Sequence, residues 1–156
     1  MATPDAALQQ ILELDGALAI ALVDLGSGMA LAQQSTVPFD LELAAAVNTE
    51  VIRAKMRAIE SLGLGETIED ILITLGSQYH LIRLSSRPDL AGVFSYLVLD
   101  RGRSNLALAR RALKGLEEEE VRVLRKSLLT IITNLEADES EAAERGIKVP
   151  ATRSSF

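Results

Sequence analysis

A chain of 156 residues, 48% hydrophobic and 3% aromatic, fits one globular domain with an aliphatic core, since a domain of this size buries roughly 70% of its unfolded surface. Its net charge of −6 supplies no basic field to release counterions from DNA or RNA, so nucleic acid is not an expected partner. The absence of cysteine excludes disulfides, thiolate metal sites and thiol nucleophiles.

The first ten residues, MATPDAALQQ, carry neither a positive n-region nor an apolar h-region, so no signal peptide is expected. Ala6, Ala7, Ile11 and Leu14 recur at helical spacing after Pro4-Asp5, which predicts a short helix ending at Gly16. The next apolar run, 17–23, is too short to cross a bilayer, and the chain reads as a soluble, cytoplasmic protein without a membrane span. Leu18, Ile20 and Leu22 would line one face of a strand there, and Ala17, Ala19, Ala21 and Val23 the other. A strand apolar on both faces belongs inside a sheet covered on both sides.

Asp24-Leu25-Gly26-Ser27-Gly28 raises two possibilities, a phosphate cradle or a hairpin turn. A dinucleotide fingerprint needs Gly or Ala at position 31, which is Leu31, and a helix immediately afterwards. Instead the chain continues into the short apolar stretch 29–32 before Gln33-Gln34-Ser35, so a second strand and a hairpin turn are expected. No Gly-x-x-x-x-Gly-Lys-Ser/Thr occurs, which excludes a P-loop.

Asp40 is placed to N-cap a helix reaching Leu62 and closed by Gly63 and Gly65. Ala44, Val47, Val51, Ala54, Ala58 and Leu62 form one apolar stripe on it, and Leu41, Ala45, Ile52, Met56 and Ile59 a second. A helix lying on a sheet needs one stripe, so the second implies another apolar neighbour, either the C-terminal helical region or a partner chain. Glu50, Arg53, Arg57 and Glu60 form a charged strip, read as a candidate partner-binding surface or a solvated face.

Three strands are then expected at 67–75, 78–85 and 93–100. The first places Ile71, Ile73 and Leu75 on one side and Ile68 and Leu72 on the other, with no Pro or Lys to blunt an edge. Symmetric pairing of that strand with its own copy would cover it. The candidate homodimer interface is therefore Leu41, Ala45, Ile52, Met56 and Ile59 on the helix, with Ile68, Ile71, Leu72 and Ile73 on the strand.

After Arg101-Gly102-Arg103, Ser104 would N-cap a helix from Asn105 whose stripe runs through Leu106, Leu113 and Leu116 to Val121, Leu124, Leu128, Ile131, Ile132 and Leu135. Glu117 to Glu120 interrupts it, as a bend or as the first turn of a second helix. From Ala137 the chain is polar and contains Pro150, so a flexible tail is expected over 137–156. Helix, two strands, helix, three strands, helix is an α+β order. His80, the single histidine, lacks partners at metal-ligand spacing, and no carboxylate pair stands at catalytic spacing. No cofactor, metal or enzymatic activity is expected.

An apolar strand into Leu22-Val23-Asp24, then Gly28 and a short strand ending in Leu31-Ala32, resembles the Roadblock/dynein light-chain family. So does Tyr96-Leu97-Val98-Leu99-Asp100 followed by Asn105-Leu106-Ala107-Leu108-Ala109-Arg110, as the last strand and start of the last helix. The resemblance spans residues 5–116, leaving 117–136 as a helical extension that departs from short members of the family. It implies a five-stranded antiparallel sheet sandwiched by helices, a homodimer whose sheets join, and no intrinsic catalysis. Members are dimeric platforms, including partners of small Ras-like GTPases that in some cases stimulate GTP hydrolysis.

The implied function is a non-catalytic homodimeric regulator or scaffold for a small Ras-like GTPase or another signalling protein. A regulator could supply an arginine to a phosphoryl-transfer transition state, and Arg53, Arg57, Arg101 and Arg103 are the candidates. The alternative is a structural adaptor for a non-GTPase partner, with 121–135 as a docking helix. A third class, a small-molecule sensor, finds no convergent polar cluster in this aliphatic sequence.

Overall fold

The computed structural model describes residues 4–146. Its elements run α1 (Pro4–Leu12), β1 (Ala17–Asp24), β2 (Ala30–Ser35), α2 (Leu41–Ser61), β3 (Asp70–Thr74), β4 (Gln78–Leu84), a 3-10 turn (Pro88–Leu90), β5 (Val93–Asp100) and α3 (Leu106–Glu144). The strands form one antiparallel sheet in the order β2-β1-β5-β4-β3. The α+β order and the five-stranded sheet therefore stand as expected. β1 and β5 are central and buried on both faces, which is why their sequences are apolar at consecutive positions.

Two cores flank the sheet. On one face Leu8 and Ile11 of α1 and Ala109 and Leu113 of α3 meet Ile20, Leu22, Leu81, Leu97 and Leu99. On the other, Leu41, Ala45 and Ile52 of α2 meet Ala19, Ala21, Val23, Ile82, Phe94 and Tyr96. Each large side chain sealed here contributes roughly 1.5–3 kcal/mol of burial. The alanines at 19 and 21 let α2 approach the sheet closely.

The structure corrects several expectations. The pairing of β1 with β5 shifts register between Ala17 and Ala19. That bulge puts Ala17 with Ile20 and Leu22, and Leu18 with the alanines, where strict alternation had them exchanged. Gln33-Gln34-Ser35 belongs to β2 rather than following it, and β3 is shorter than 67–75. Asn105, not Ser104, caps α3: its Oδ1 accepts from Leu108 N at 3.2 Å. α2 does start from Asp40, whose carboxylate accepts from Leu43 N at 3.0 Å.

Residues 117–120 fall within α3 without a second helix beginning there, and 137–144 are helical where a flexible tail was expected. Chain contacts divide the protein into a unit ending at Val121 and a second from Arg122. In the second unit residues 133–141 are exposed, including Leu135, and Arg145 pairs with Glu141 before Gly146 ends the helix. The stripe at Val121, Leu124, Leu128, Ile131 and Ile132 and the tail beyond Gly146 lie outside the described side chains and residues. Among the described residues no helix is long and apolar enough to cross a membrane, and no cluster of His, Asp and Glu could hold a metal ion.

Candidate interaction surface

α2 is apolar on two sides, and the structure decides which side faces the sheet. Leu41, Ala45 and Ile52 are 0–4% exposed and seat the helix on its own sheet, so they do not offer a surface to a second chain. Val47 and Val51, from the other stripe, are 52% and 39% exposed, beside Leu43 at 61%. The sequence carried both stripes but no signal for their orientation. Met56, Ile59 and Ile68 come together along one groove with Leu25, Leu84 and Val93.

β3 is an edge strand, paired with β4 from Asp70↔Arg83 to Thr74↔Tyr79. Ile71 and Ile73 share the α2 face of the sheet with Ile82 and His80, while Leu72 packs on the α1/α3 core. The strand is half-buried from Asp70 to Ile73, and among the described residues no strand pairs with its outer row of backbone groups. The edge strand and the exposed α2 stripe adjoin through a shallow depression lined by Val51, Lys55 and Ile71.

The charged strip divides. Arg53 Nη2 donates to the carbonyls of Leu25 and Gly26 at 2.8 and 2.9 Å, and Nη1 to Glu50 Oε1 at 3.1 Å. Arg53 is thus a clamp between α2 and the β1–β2 turn. Asp24 organises that turn, accepting from Ser27 Oγ at 2.7 Å and Ser27 N at 3.1 Å, and these bonds hold its carboxyl below the usual range. Gly28 closes the turn at φ +73, the left-handed region where a side chain is strained. The hairpin reading of Gly26-Ser27-Gly28 is the one observed. Arg57 and Glu60 are exposed. Arg101 donates to Leu75 O at 3.1 Å and lies over the Tyr79 ring, so it too is engaged.

A polar network between α2 and the sheet, built around His80, was not legible in the sequence. His80 Nε2 lies 3.0 Å from Gln78 Oε1, which accepts, leaving Nδ1 to accept from Tyr96 OH at 2.8 Å. Tyr96 OH is also bonded to Asn48 of α2, which itself donates to Ala44 O at 2.8 Å. Phe39 stands edge-on to the imidazole, with centroids 6.2 Å apart. Burial pushes the His80 pKa down and the Tyr96 phenol up to about 12. On the opposite face Arg83 pairs with Glu117 at 2.9 Å and Arg110 with Asp70 at 3.0 Å, fastening α3 to β4 and β3. Residues so far apart in the chain leave no local pattern.

Comparison with solved structures gives the arrangement a fold. A Roadblock/LC7 domain from Streptomyces avermitilis superposes with a TM-score of 0.65, 14% identity, and coverage of 82% of this chain and 99% of that one. The chain has the Roadblock/LC7 fold. A structure of MglB with a tetrameric arrangement matches with a TM-score of 0.67, 18% identity, and coverage of 79% and 88%. The gliding protein MglB from Thermus thermophilus gives 0.66, 17% identity, and 79% and 89%. No family model matches the sequence, and no curated protein matches it. The likeness is one of backbone: at these identities the Roadblock/LC7 fold is kept while side chains diverge, so the surface must be read from this chain itself.

Proposed function

We propose that the protein is a non-catalytic, cytoplasmic, homodimeric regulator or scaffold for a small Ras-like GTPase. One observation carries the dimer: the unpaired edge of β3 adjoins the exposed apolar stripe of α2 carrying Val47 and Val51. A strand edge beside an apolar helix face is self-complementary about a two-fold axis, and pairing β3 with its copy would continue the sheet while burying both stripes. Ile71 and Ile73 remain in this interface, together with the outward stripe in place of Leu41, Ala45 and Ile52.

The GTPase partner is supported by the family resemblance and by the shared fold with MglB. The tetrameric arrangement of one MglB structure supports assembly of this fold beyond a single chain. If an arginine is supplied to a partner's transition state, exposure favours Arg57 and Arg103 as its source, since Arg53 and Arg101 are engaged by backbone carbonyls. Single-turnover GTP hydrolysis by a Ras-like GTPase from the same source, with and without the protein, tests this. An unchanged rate together with no detectable complex rejects the GTPase role, and sedimentation as a monomer at micromolar concentration rejects the dimer.

A further inference from the structure

A groove of about 680 Å³ opens between the C-terminal turns of α2, the loop leading to β3 and the strand ends joining β4 to β5. Its walls are apolar: Leu25, Ile59, Ile68, Leu84 and Val93 are half-buried, and Met56 is 38% exposed. Gly63, Gly65 and Gly92 form part of the rim, and among the described residues no non-neighbouring atom comes within 4 Å of where a Cβ would stand, which leaves the mouth open there. The volume has room for several side chains of an incoming segment, and the open glycine rim would leave such a segment partly exposed rather than enclosed as a buried cofactor is.

Its electrostatics are one-sided. Glu60 and Glu66 line the groove, and among the described residues no Lys, Arg or His does. The C-terminus of α2 points its partial negative charge into the same region, and no basic residue occupies its last turn. Arg53 is turned to Glu50 and the hairpin carbonyls, while Arg83, Arg110, Arg111 and Lys114 line an adjoining cleft that shares Thr67, Ile68, Leu84 and Ser85 with the groove but not its Glu60 and Glu66 end.

We propose that this groove is a docking site for a segment of a partner protein that presents an apolar anchor beside a lysine or arginine. The aliphatic walls take the anchor, while Glu60, Glu66 and the helix end take the cation. An acidic segment would meet like charge from both carboxylates and the helix end. The site requires nothing of a nucleotide-binding partner, so its failure and that of the GTPase role are separable.

Two-dimensional amide NMR of the full chain, titrated with the blocked tripeptide Leu-Lys-Leu and its counterpart Leu-Glu-Leu, tests the site. The lysine peptide is expected to shift the amides of Gly63, Gly65 and Gly92 saturably below about 5 mM, with the glutamate peptide about tenfold weaker or more. Glu66→Lys, an exposed loop change whose spectrum reports its own folding, should weaken the lysine peptide by about fivefold. Equal response to both peptides, or no saturable shift with an otherwise native spectrum, overturns the proposal. So does movement of the same amides on dilution without peptide, which would assign the groove to a second copy of the chain.

Discussion

The two edges of the sheet are held in place by different chemistry. At β2 the bonds are neutral: Gln34 Nε2 donates to Asp5 O at 2.8 Å, Thr36 N to Leu18 O at 2.9 Å, and the hydroxyls of Ser35 and Thr36 reach the same carbonyl at 3.2 Å. At β3 and its neighbour β4 the anchors are ionisable: Asp70 to Arg110, Arg83 to Glu117, and His80 in its chain with Tyr96 and Asn48. An edge fixed by neutral bonds is indifferent to pH and salt, whereas one fixed by charges is not. The edge proposed for self-association is thus the one whose support can be tuned.

The largest effect is expected at the Arg83–Glu117 pair, whose side chains are only 15% and 8% exposed. Glu117→Ala removes the anion and leaves a buried guanidinium without a partner, and Ser86 loses its acceptor. A loss of about 3–5 kcal/mol is expected in urea unfolding. Glu117→Gln, which keeps shape and one acceptor, should lose less. If the alanine variant costs under about 1 kcal/mol, the β3 side does not depend on charged anchors and the contrast between the edges fails.

Next comes assembly. Val51→Asp places a charge on the exposed stripe of α2 beside the β3 edge. Self-association should weaken tenfold or more, about 1.4 kcal/mol, by sedimentation equilibrium. Monomer stability should stay within about 0.5 kcal/mol because the site is at the surface. Unchanged association would move the dimer away from this edge.

A smaller effect is expected from pH. Burial lowers the folded pKa of His80, so between that value and the ordinary 6.5 the unfolded chain binds more protons than the folded one. Stability should therefore be full above about pH 6.5 and decline as pH falls toward the folded pKa. Protonation also forces Nδ1 to donate toward Tyr96 OH, reversing a bond that currently runs to it. Urea midpoints measured from neutral to mildly acid pH should fall in the native chain and flatten in His80→Gln. An equal slope in both would place the acid sensitivity elsewhere.

Much of this fold was legible because its signals are local. The two-faced strand 17–23, the cap at Asp40 and the turn after Asp24 each need only a few neighbouring residues. The bulge that exchanges Leu18 and Ala17 was not legible, because both residues are apolar and either alternation looks the same. The same ambiguity hid which stripe of α2 faces the sheet. Arg53 read as a surface charge because its partners are carbonyls of a turn 27 and 28 residues away, and backbone acceptors carry no sequence signature. Ion pairs spanning 34 and 40 residues are invisible because local spacing does not record which distant charges meet.

The smallest effect is expected at the other edge, and its smallness is informative. Leu31 of β2 is 51% exposed on a strand whose burial alternates, with Ala32 and Gln34 half-buried and Leu31, Gln33 and Ser35 outside. Lysine is a residue that edge strands carry to discourage pairing. If β2 also joined a second chain, Leu31→Lys would disrupt association much as Val51→Asp does. If β2 is only the end of the sheet, the substitution should leave the dissociation constant unchanged and stability within about 0.5 kcal/mol. Sedimentation of the two variants side by side therefore decides whether the asymmetry between neutral and ionisable edges is also an asymmetry of assembly.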